Sequence, residues 1–205
     1  MNEYTVKVFQ GDTPVWREVP ELLVDTYPWG CPFEEAPAVA AEAALTDQGL
    51  HILMAVAESD PLATFTENNQ PVCQDSCLEC FINFAPEKGS DYINFECNAN
   101  GALWSAFGPD REHRRFLRDL GLTEPEVKVH KSEAGWGVEY CISQEIIEAL
   151  YGRPLRPGDT IRANFYKCGD KTETPHYAVW NPVEAPAPDY HRPECFGILQ
   201  IEGEE

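Results

Sequence analysis

The segment Asp75–Gly101 constrains the fold of this chain most strongly, because its polarity alternates residue by residue in two consecutive runs. A period of two is the pattern of a β-strand with one buried face. The spacer Ala85–Asp91 contains proline, glycine, serine and aspartate, as a hairpin connection should. The apolar positions of the two runs form one predicted core face: Leu78, Cys80, Ile82, Phe84, Ile93, Phe95 and Cys97. We therefore predict two adjacent strands with this face buried between two sheets.

The opposite face of the same strands carries carboxylates, amides and aromatic rings. Its residues are Glu79, Phe81 and Asn83 on the first strand, and Tyr92, Asn94, Glu96 and Asn98 on the second. Such groups together suit the binding of a hydroxyl-rich ligand. The alternative is an outer face that is simply solvated, and the alternation alone leaves both interpretations open.

The remainder of the chain also favours strands. A second hairpin is predicted from Val39 to Ala57, and further strands are predicted at Tyr4–Phe9, Lys128–His130, Gly135–Ile142, Thr160–Lys167 and Phe196–Ile201. Two short helices are predicted, one at Arg111–Leu120 and one that begins after the N-cap Ser143 and ends at Gly152. No repeat or linker interrupts the chain. We expect one all-β domain over residues 1–205, a single antiparallel β-sandwich of immunoglobulin-like architecture with one or two short helices.

Composition limits the class of partner. The net charge of −20 argues against nucleic acid and against anionic membrane surfaces, which both attract basic patches. A hydrophobic content of 43% is that of a globular protein, and no apolar run reaches the length of a membrane span. The first residues have the pattern of a strand and lack that of a signal peptide, so a cytoplasmic protein is expected.

The eight cysteines are predicted to be reduced packing residues that bind no metal. Cys77 and Cys80 have the spacing of a zinc or redox pair, but the strand period sends them to opposite faces. Cys80 and Cys97 fall on the predicted core face.

Catalytic signatures are weak. None of the five histidines lies in a hydrolase or metalloprotease motif. Glu79 paired with Glu96 or Glu139 has the residue types for glycoside hydrolysis. Acid pairs on adjacent strands are more often bridged by arginine, and Arg162 is placed on a strand that could supply it. Nothing in the sequence demands an enzyme.

Five short motifs occur in order between about Pro37 and Ile201. They are QDSCLECFI, YINFECNANG, GWGVEYCIS, PGDTIRANF, and a W-N-P followed by RPECFGILQI. In this order they resemble the family 9 carbohydrate-binding modules and their stand-alone relatives, within the wider DOMON-like group of β-sandwiches. The resemblance implies non-catalytic carbohydrate binding linked to carbohydrate catabolism, since the family also supplies accessory modules to glycoside hydrolases.

The resemblance also implies roles for particular residues. Glu79 matches the ligand-binding acid, Asn94 and Glu96 match polar groups of the next strand, and Tyr190 matches an aromatic ring that clamps the sugar. Asn98, on the same polar face, is expected to add a further hydrogen-bonding group. Trp180 matches a family tryptophan that either packs or contacts ligand. A second clamping ring is expected where this chain has Val72 and Cys73, and Phe65 or Trp104 would have to substitute for it. The family also uses calcium ions to tie loops together.

The expected partner is therefore a carbohydrate, with no nucleic acid or membrane partner and an open oligomeric state. Two alternatives remain. One is a DOMON-like carrier of haem or another small ligand, for which Met1 and Met54 are the only methionines available as axial ligands. The other is a glycoside-processing enzyme that uses Glu79 and Glu96.

Overall fold

The computed structural model describes residues 1–203 and consists mainly of β-strands. The strands are β1 (Glu3–Val8), β2 (Leu22–Leu23), β3 (Val39–Leu45), β4 (Gly49–Val56), β5 (Cys77–Asn83), β6 (Tyr92–Asn98), β7 (Leu103–Gly108), β8 (Arg115–Phe116), β9 (Lys128–Ser132), β10 (Gly135–Ser143), β11 (Thr160–Cys168), β12 (Tyr177–Val179) and β13 (Gly197–Ile201). One α-helix, α1, spans Gln144–Tyr151. Four short 3₁₀ helices occupy Trp16–Glu18, Val72–Gln74, Leu117–Leu120 and Pro193–Cys195.

The strands form one curled sheet that folds over on itself in two layers. The neighbours along the sheet are β8-β7-β6-β5-β11-β13-β1-β3-β4-β10-β9, with β12 beside β11 and β2 beside β3. The layers meet through their apolar faces, as shown by the ring contact of Phe95 on β6 with Tyr140 on β10 at 5.4 Å. The predicted all-β sandwich is confirmed.

The predicted purely antiparallel sheet requires a correction at β1. Residues Glu3–Val6 pair in parallel with β13, and residues Lys7–Val8 pair in parallel with β3. This one strand therefore joins the two layers. Alternation shows which face of a strand is buried but not the direction of its neighbours, so the sequence pattern could not reveal the parallel pairing.

The predicted core face is confirmed. All seven of its side chains are at most 2% exposed and belong to the main hydrophobic cluster between the layers. Cys77 lies on the other side of β5 from Cys80, as the strand period requires, and belongs to a second apolar cluster. The polar face of β5 and β6 is therefore not solvated, because this second cluster and the loops above it cover it.

The helix predicted after Ser143 is confirmed in detail. The Ser143 hydroxyl accepts a hydrogen bond from the Ile146 amide at 3.2 Å, which satisfies an otherwise unpaired N–H of the first turn. Gly152 ends the helix in the left-handed conformation, with φ of 76°.

The helix predicted at Arg111–Leu120 is wrong. Residues Arg115–Phe116 form β8 at the edge of the sheet, and only Leu117–Leu120 make a 3₁₀ turn before Gly121. The Asp110 carboxylate accepts hydrogen bonds from the Glu112 and His113 amides, which fixes a turn instead of a first helical turn. Pairing with β7 and this local turn outweigh the amphipathic pattern.

Besides β8, three strands had no counterpart in the sequence prediction. They are β2, which pairs with β3, β7, which extends the layer beyond β6, and β12, which pairs with the end of β11. Within residues 1–203, no helix has the length and apolar character needed to cross a membrane.

Candidate functional site

The centre of the candidate site is a pair of facing glutamates on neighbouring strands. Glu79 of β5 and Glu96 of β6 are directly opposite in the antiparallel register, so their side chains project from the same face of the sheet. Their residues are 2% and 6% exposed. Two buried acids at one place need compensating partners, because an isolated buried carboxylate is costly.

A cavity of about 150 Å³ lies over this pair. Its walls come from strands β5, β6, β11 and β12 and from four loops: Cys73, Glu79, Glu96, Arg111, Cys168, Asp170, Tyr177, Pro188, Asp189, Tyr190 and His191. A larger cavity of about 490 Å³ lies on the outer face of the other layer, lined mainly by alanine, glycine and aliphatic side chains. The smaller cavity is the better candidate, because its polar groups converge on one volume.

Glu79 is held by a thiol. The Cys168 Sγ donates a hydrogen bond to Glu79 Oε1 at 2.9 Å. Burial raises the pKa of Glu79 well above its usual range, and the facing Glu96 carboxyl raises it further.

Glu96 is held by an amide and approached by a guanidinium. Asn94 Nδ2 donates to Glu96 Oε1 at 2.8 Å, and Asn94 Oδ1 in turn accepts from Arg114 Nη1 at 2.8 Å. Arg114 Nη1 itself lies 3.9 Å from Glu96 Oε1. Burial raises the pKa of Glu96, and the positive charge of Arg114 opposes that rise.

An arginine does approach the acid pair, but it is Arg114 at Glu96 and not Arg162. Arg162 Nε donates to the Phe196 carbonyl at 3.0 Å and takes no part in the acid pair. Glu139, the other predicted partner for Glu79, lies on β10 in the opposite layer beside His130 at 3.3 Å. Of the two pairs considered from the sequence, the structure brings together only Glu79 and Glu96.

Tyr190 lines the cavity, but its side chain is far more buried than is expected of an aromatic ring on a loop. It is 7% exposed and stacks on Tyr166 with ring centroids 4.0 Å apart and planes 13° from parallel. Its hydroxyl lies 3.2 Å from the carbonyl oxygens of Lys167 and Ala178, to either of which it can donate. The ring is therefore also a packing element of the second apolar cluster.

A second aromatic ring in the cavity comes from an unexpected place. Tyr177 of β12 lines the cavity, with its ring 6.4 Å from that of Tyr190 and 72° from parallel. Phe65 and Trp104 do not line it, and Trp104 packs on Phe116 at 4.8 Å. Of the two positions where the family would have its other clamping ring, Val72 is fully buried and Cys73 lines the cavity.

Three predicted site residues, Asn94, Asn98 and Trp180, lie outside the cavity wall, and Asn94 acts on the site through its hydrogen bond to Glu96. Asn98 donates hydrogen bonds to the Phe65 carbonyl at 2.8 Å and to Asp75 Oδ2 at 2.9 Å, so it supports the loop before β5.

Trp180 is buried in the main core and packs on Phe165 at 5.9 Å. A Cβ added at Gly197 would lie 2.4 Å from the Trp180 ring, so this glycine allows the close approach. Packing is thus the role that the structure shows for Trp180.

Sequence reasoning missed the loop residues that close the cavity. Arg111 donates from Nη2 to Asp189 Oδ1 at 2.8 Å, which links two loops across the cavity wall. His191 Nδ1 is 2.7 Å from the Tyr92 hydroxyl, and burial, together with Arg114 and Arg111, lowers the pKa of His191 to about 2. Asp189 and His191 flank Tyr190 in the sequence and could have been found from it. Arg111 and Asp170 carry no such signal.

The convergent thiol and carboxyl side chains of the described residues do not form a calcium site. Calcium takes six to eight oxygen ligands, whereas the one convergent group of three metal-ligating side chains in residues 1–203 is Cys77, Glu79 and Cys168. Two of its three donor atoms are sulfur.

The chain matches the family model of carbohydrate-binding family 9 over residues 16–201. It is similar to a Bacteroides uniformis ATCC 8492 protein provisionally described as carbohydrate-binding, with 26% identity, a TM-score of 0.79 and coverage of 98% of this chain and 99% of that one. No curated protein matches it significantly.

The fold is also that of a Caldicellulosiruptor kristjanssonii family 9 carbohydrate-binding module. The module in complex with cellotriose has a TM-score of 0.68 and 14% identity, covering 100% of this chain and 95% of that one. The module in complex with glucose has a TM-score of 0.71 and 13% identity, covering 100% and 97%. Because the family model matches residues 16–201 of the chain's 205, this chain belongs to carbohydrate-binding family 9.

Proposed function

We propose that this protein binds one sugar unit of a carbohydrate, without catalysis, in the cavity over Glu79 and Glu96. The observation that carries the proposal is the convergence of these two acids, Asp170 and Arg111 on a cavity that also contains the rings of Tyr177 and Tyr190. Membership of the carbohydrate-binding family supports the same ligand class.

The size of the cavity favours a single ring. Pockets for drug-sized ligands have volumes of roughly 300–1,000 Å³, and this cavity has about 150 Å³. The Caldicellulosiruptor kristjanssonii module has been solved in complex with glucose and with cellotriose. A glucose unit is therefore the first ligand to test.

The chemistry of the walls matches that of a sugar. Each hydroxyl both donates and accepts, so carboxyl groups of either protonation state can bond to it. The guanidinium of Arg111 adds donors that no carboxylate supplies. An aromatic ring offers an apolar face to the C–H groups of a pyranose while its hydroxyls stay hydrogen-bonded.

Binding is better supported than hydrolysis, because the family that the chain matches is a carbohydrate-binding one. Hydrogen bonds from Cys168 to Glu79 and from Asn94 to Glu96 position both acids. Incubation with oligosaccharides is expected to release no reducing sugar over time. A steady release that Glu96→Gln abolishes would instead identify an enzyme.

A haem carrier is not favoured. Met54 is 1% exposed within the core between the layers, which leaves it no path to a cavity, and Met1 is 70% exposed at the chain start. Neither is placed as an axial ligand beside the acid pair.

Isothermal titration calorimetry with glucose, cellobiose and cellotriose tests the proposal. Glu79→Gln keeps the volume of the side chain but replaces one carboxyl oxygen by an amide group that only donates. We expect a loss of about 1.5–3 kcal/mol, within the range for leaving a buried hydrogen-bonding group without its partner. This corresponds to roughly 10- to 100-fold weaker binding.

Glu139→Gln is the matched control, since Glu139 is a strand glutamate on the opposite layer. It should bind sugar as the parent does. Unchanged affinity in both Glu79→Gln and Glu96→Gln would place the site elsewhere.

We also infer a cytoplasmic location. All eight cysteines are free, and unpaired thiols are typical of a reducing compartment. Titration of the thiols in denatured protein tests this inference.

A further inference from the structure

A thiol cluster lies directly beneath the sugar cavity. Cys77 of β5 and Cys168 of β11 are opposite one another in the antiparallel register, and Glu79 lies two residues from Cys77 on the same face. One donor atom from each of the three lies within 4.8 Å of the other two, and all three residues are buried.

The two thiols do not belong to the core between the layers. Cys80 and Cys97 point into that core, whereas Cys77 and Cys168 point into the face that carries the acid pair. Cys168 also lines the cavity itself and bonds to Glu79 Oε1. Packing alone does not require two sulfur atoms and a carboxylate at one point.

We propose that Cys77, Cys168 and Glu79 bind a thiophilic divalent cation such as Zn²⁺. Two sulfur donors and one carboxylate oxygen are ligands that zinc accepts and that calcium and magnesium do not favour. Glu79 and Cys168 both line the cavity, so the fourth position of a tetrahedral ion faces the space where a sugar or water would sit.

The geometry requires only small adjustments. With Zn–S bonds of about 2.3 Å, tetrahedral zinc places two sulfur ligands roughly 3.8 Å apart. The observed separations of up to 4.8 Å are within about an ångström of this value. Side-chain rotation can supply that distance while the strands remain paired.

The charges and protons balance with groups that are present. Binding forms two Zn–S bonds and one Zn–O bond in place of three bonds from the ion to water, and the protons of the two thiols and of the Glu79 carboxyl leave to solvent. Two thiolates, one carboxylate and Zn²⁺ carry one net negative charge, and the guanidinium of Arg111 lies in the same cavity wall to compensate it.

Metal binding would also affect the proposed sugar site, and this consequence alone rests on the proposed function. The ion would take an oxygen of Glu79 that otherwise accepts a sugar hydroxyl. Zinc should therefore weaken sugar binding in the parent protein and leave it unchanged when the thiols are removed.

Cobalt titration tests the metal site without any sugar. Co²⁺ added to reduced protein under anaerobic conditions should give sulfur-to-cobalt charge-transfer absorption and the visible bands of a tetrahedral ion, saturating at one equivalent. Zn²⁺ should then displace the cobalt. Cys77→Ser and Cys168→Ser should each lose the charge-transfer bands, whereas Cys141→Ser, a partly buried thiol on β10, should keep them.

Absence of these bands in the parent, or their persistence in Cys168→Ser, would overturn the proposal. Circular dichroism and the melting temperature show whether each variant is folded, and Cys168→Ala provides a second variant if the serine is not tolerated. Because cobalt binding is read in the absence of sugar, its failure leaves the calorimetric test of sugar binding unaffected.

Discussion

Replacing Tyr190 by Ala separates the two roles that the structure combines in this ring. As a loop residue that clamps sugar, Tyr190 would be expected to leave the fold intact when truncated. The structure predicts otherwise, because the ring is 7% exposed and stacks on Tyr166 with centroids 4.0 Å apart. The variant should lose both stability and sugar affinity.

The magnitude follows from the burial. Truncating a buried aromatic ring to alanine costs about 3–5 kcal/mol through lost contacts and the cavity left behind. In a domain of this size each kcal/mol shifts the melting temperature by about 2–4 °C, so a fall of about 6–20 °C is expected. Tyr190→Phe keeps the stacked ring and removes one hydroxyl, which should cost about 0.5–1.5 kcal/mol.

The assay combines differential scanning calorimetry with sugar titration at a temperature where all variants are folded. Tyr190→Phe should bind sugar much as the parent does, since the ring face is unchanged. If Tyr190→Ala melts within about 2 °C of the parent, below even one kcal/mol of stability, the packing argument is refuted. If that variant is folded and binds sugar normally, the ring lies outside the binding site.

Three further predictions concern a buried charge network and the thiols. Lys167 is fully buried, with Nζ 2.7 Å from His176 Nε2 and 3.5 Å from Glu58 Oε2. Lys167→Met would leave Glu58 without its cation, so the free energy of unfolding in denaturant should fall by about 3–5 kcal/mol. A midpoint like that of the parent would show that the network contributes nothing. Burial opposes ionisation of Glu58, but Lys167 and hydrogen bonds from Trp136 and Ser76 outweigh it and lower the Glu58 pKa below the usual 4.5. The stability that this ionised group contributes is present above pH 4.5 and is lost as the pH falls through the lowered pKa. Glu58→Gln should therefore make the melting temperature fall less steeply as the solution is acidified. A variant whose melting temperature falls with pH as the parent's does would contradict the assignment. Titration of denatured, metal-free protein with a thiol reagent should find all eight cysteines free, and a lower count without reductant would reveal disulfides.

Much of the fold could be predicted from local pattern. Alternation identified the core face of β5 and β6, and the turn residues identified the hairpin between β3 and β4. Ser143 and Gly152 marked both ends of α1, because caps depend on residues next to them in the chain. The same alternation placed Glu79 and Glu96 on one face, which is the main element of the candidate site.

The errors arose where distant groups compete with local preference. The amphipathic pattern of Arg111–Leu120 suits a helix, but pairing of β8 with β7 and the Asn94–Arg114 hydrogen bond hold this segment in an extended loop. Whether β1 runs parallel or antiparallel to its neighbours depends on the strands between which it lies, β13 and β3. The residues of β1 do not themselves specify those neighbours.

The sequence by itself determined the strand faces, the buried alternate residues and the placement of Glu79 and Glu96 on one polar face, because a strand's period of two is a property of adjacent residues. Only the tertiary structure decided that the polar face is covered, that Tyr177 supplies a ring and that Arg111 and Asp189 link two loops. It also brought Cys168 beside Cys77 through the pairing of β11 with β5. These contacts join residues far apart in the chain, and their geometry exists only once the layers have packed and the loops have closed over them.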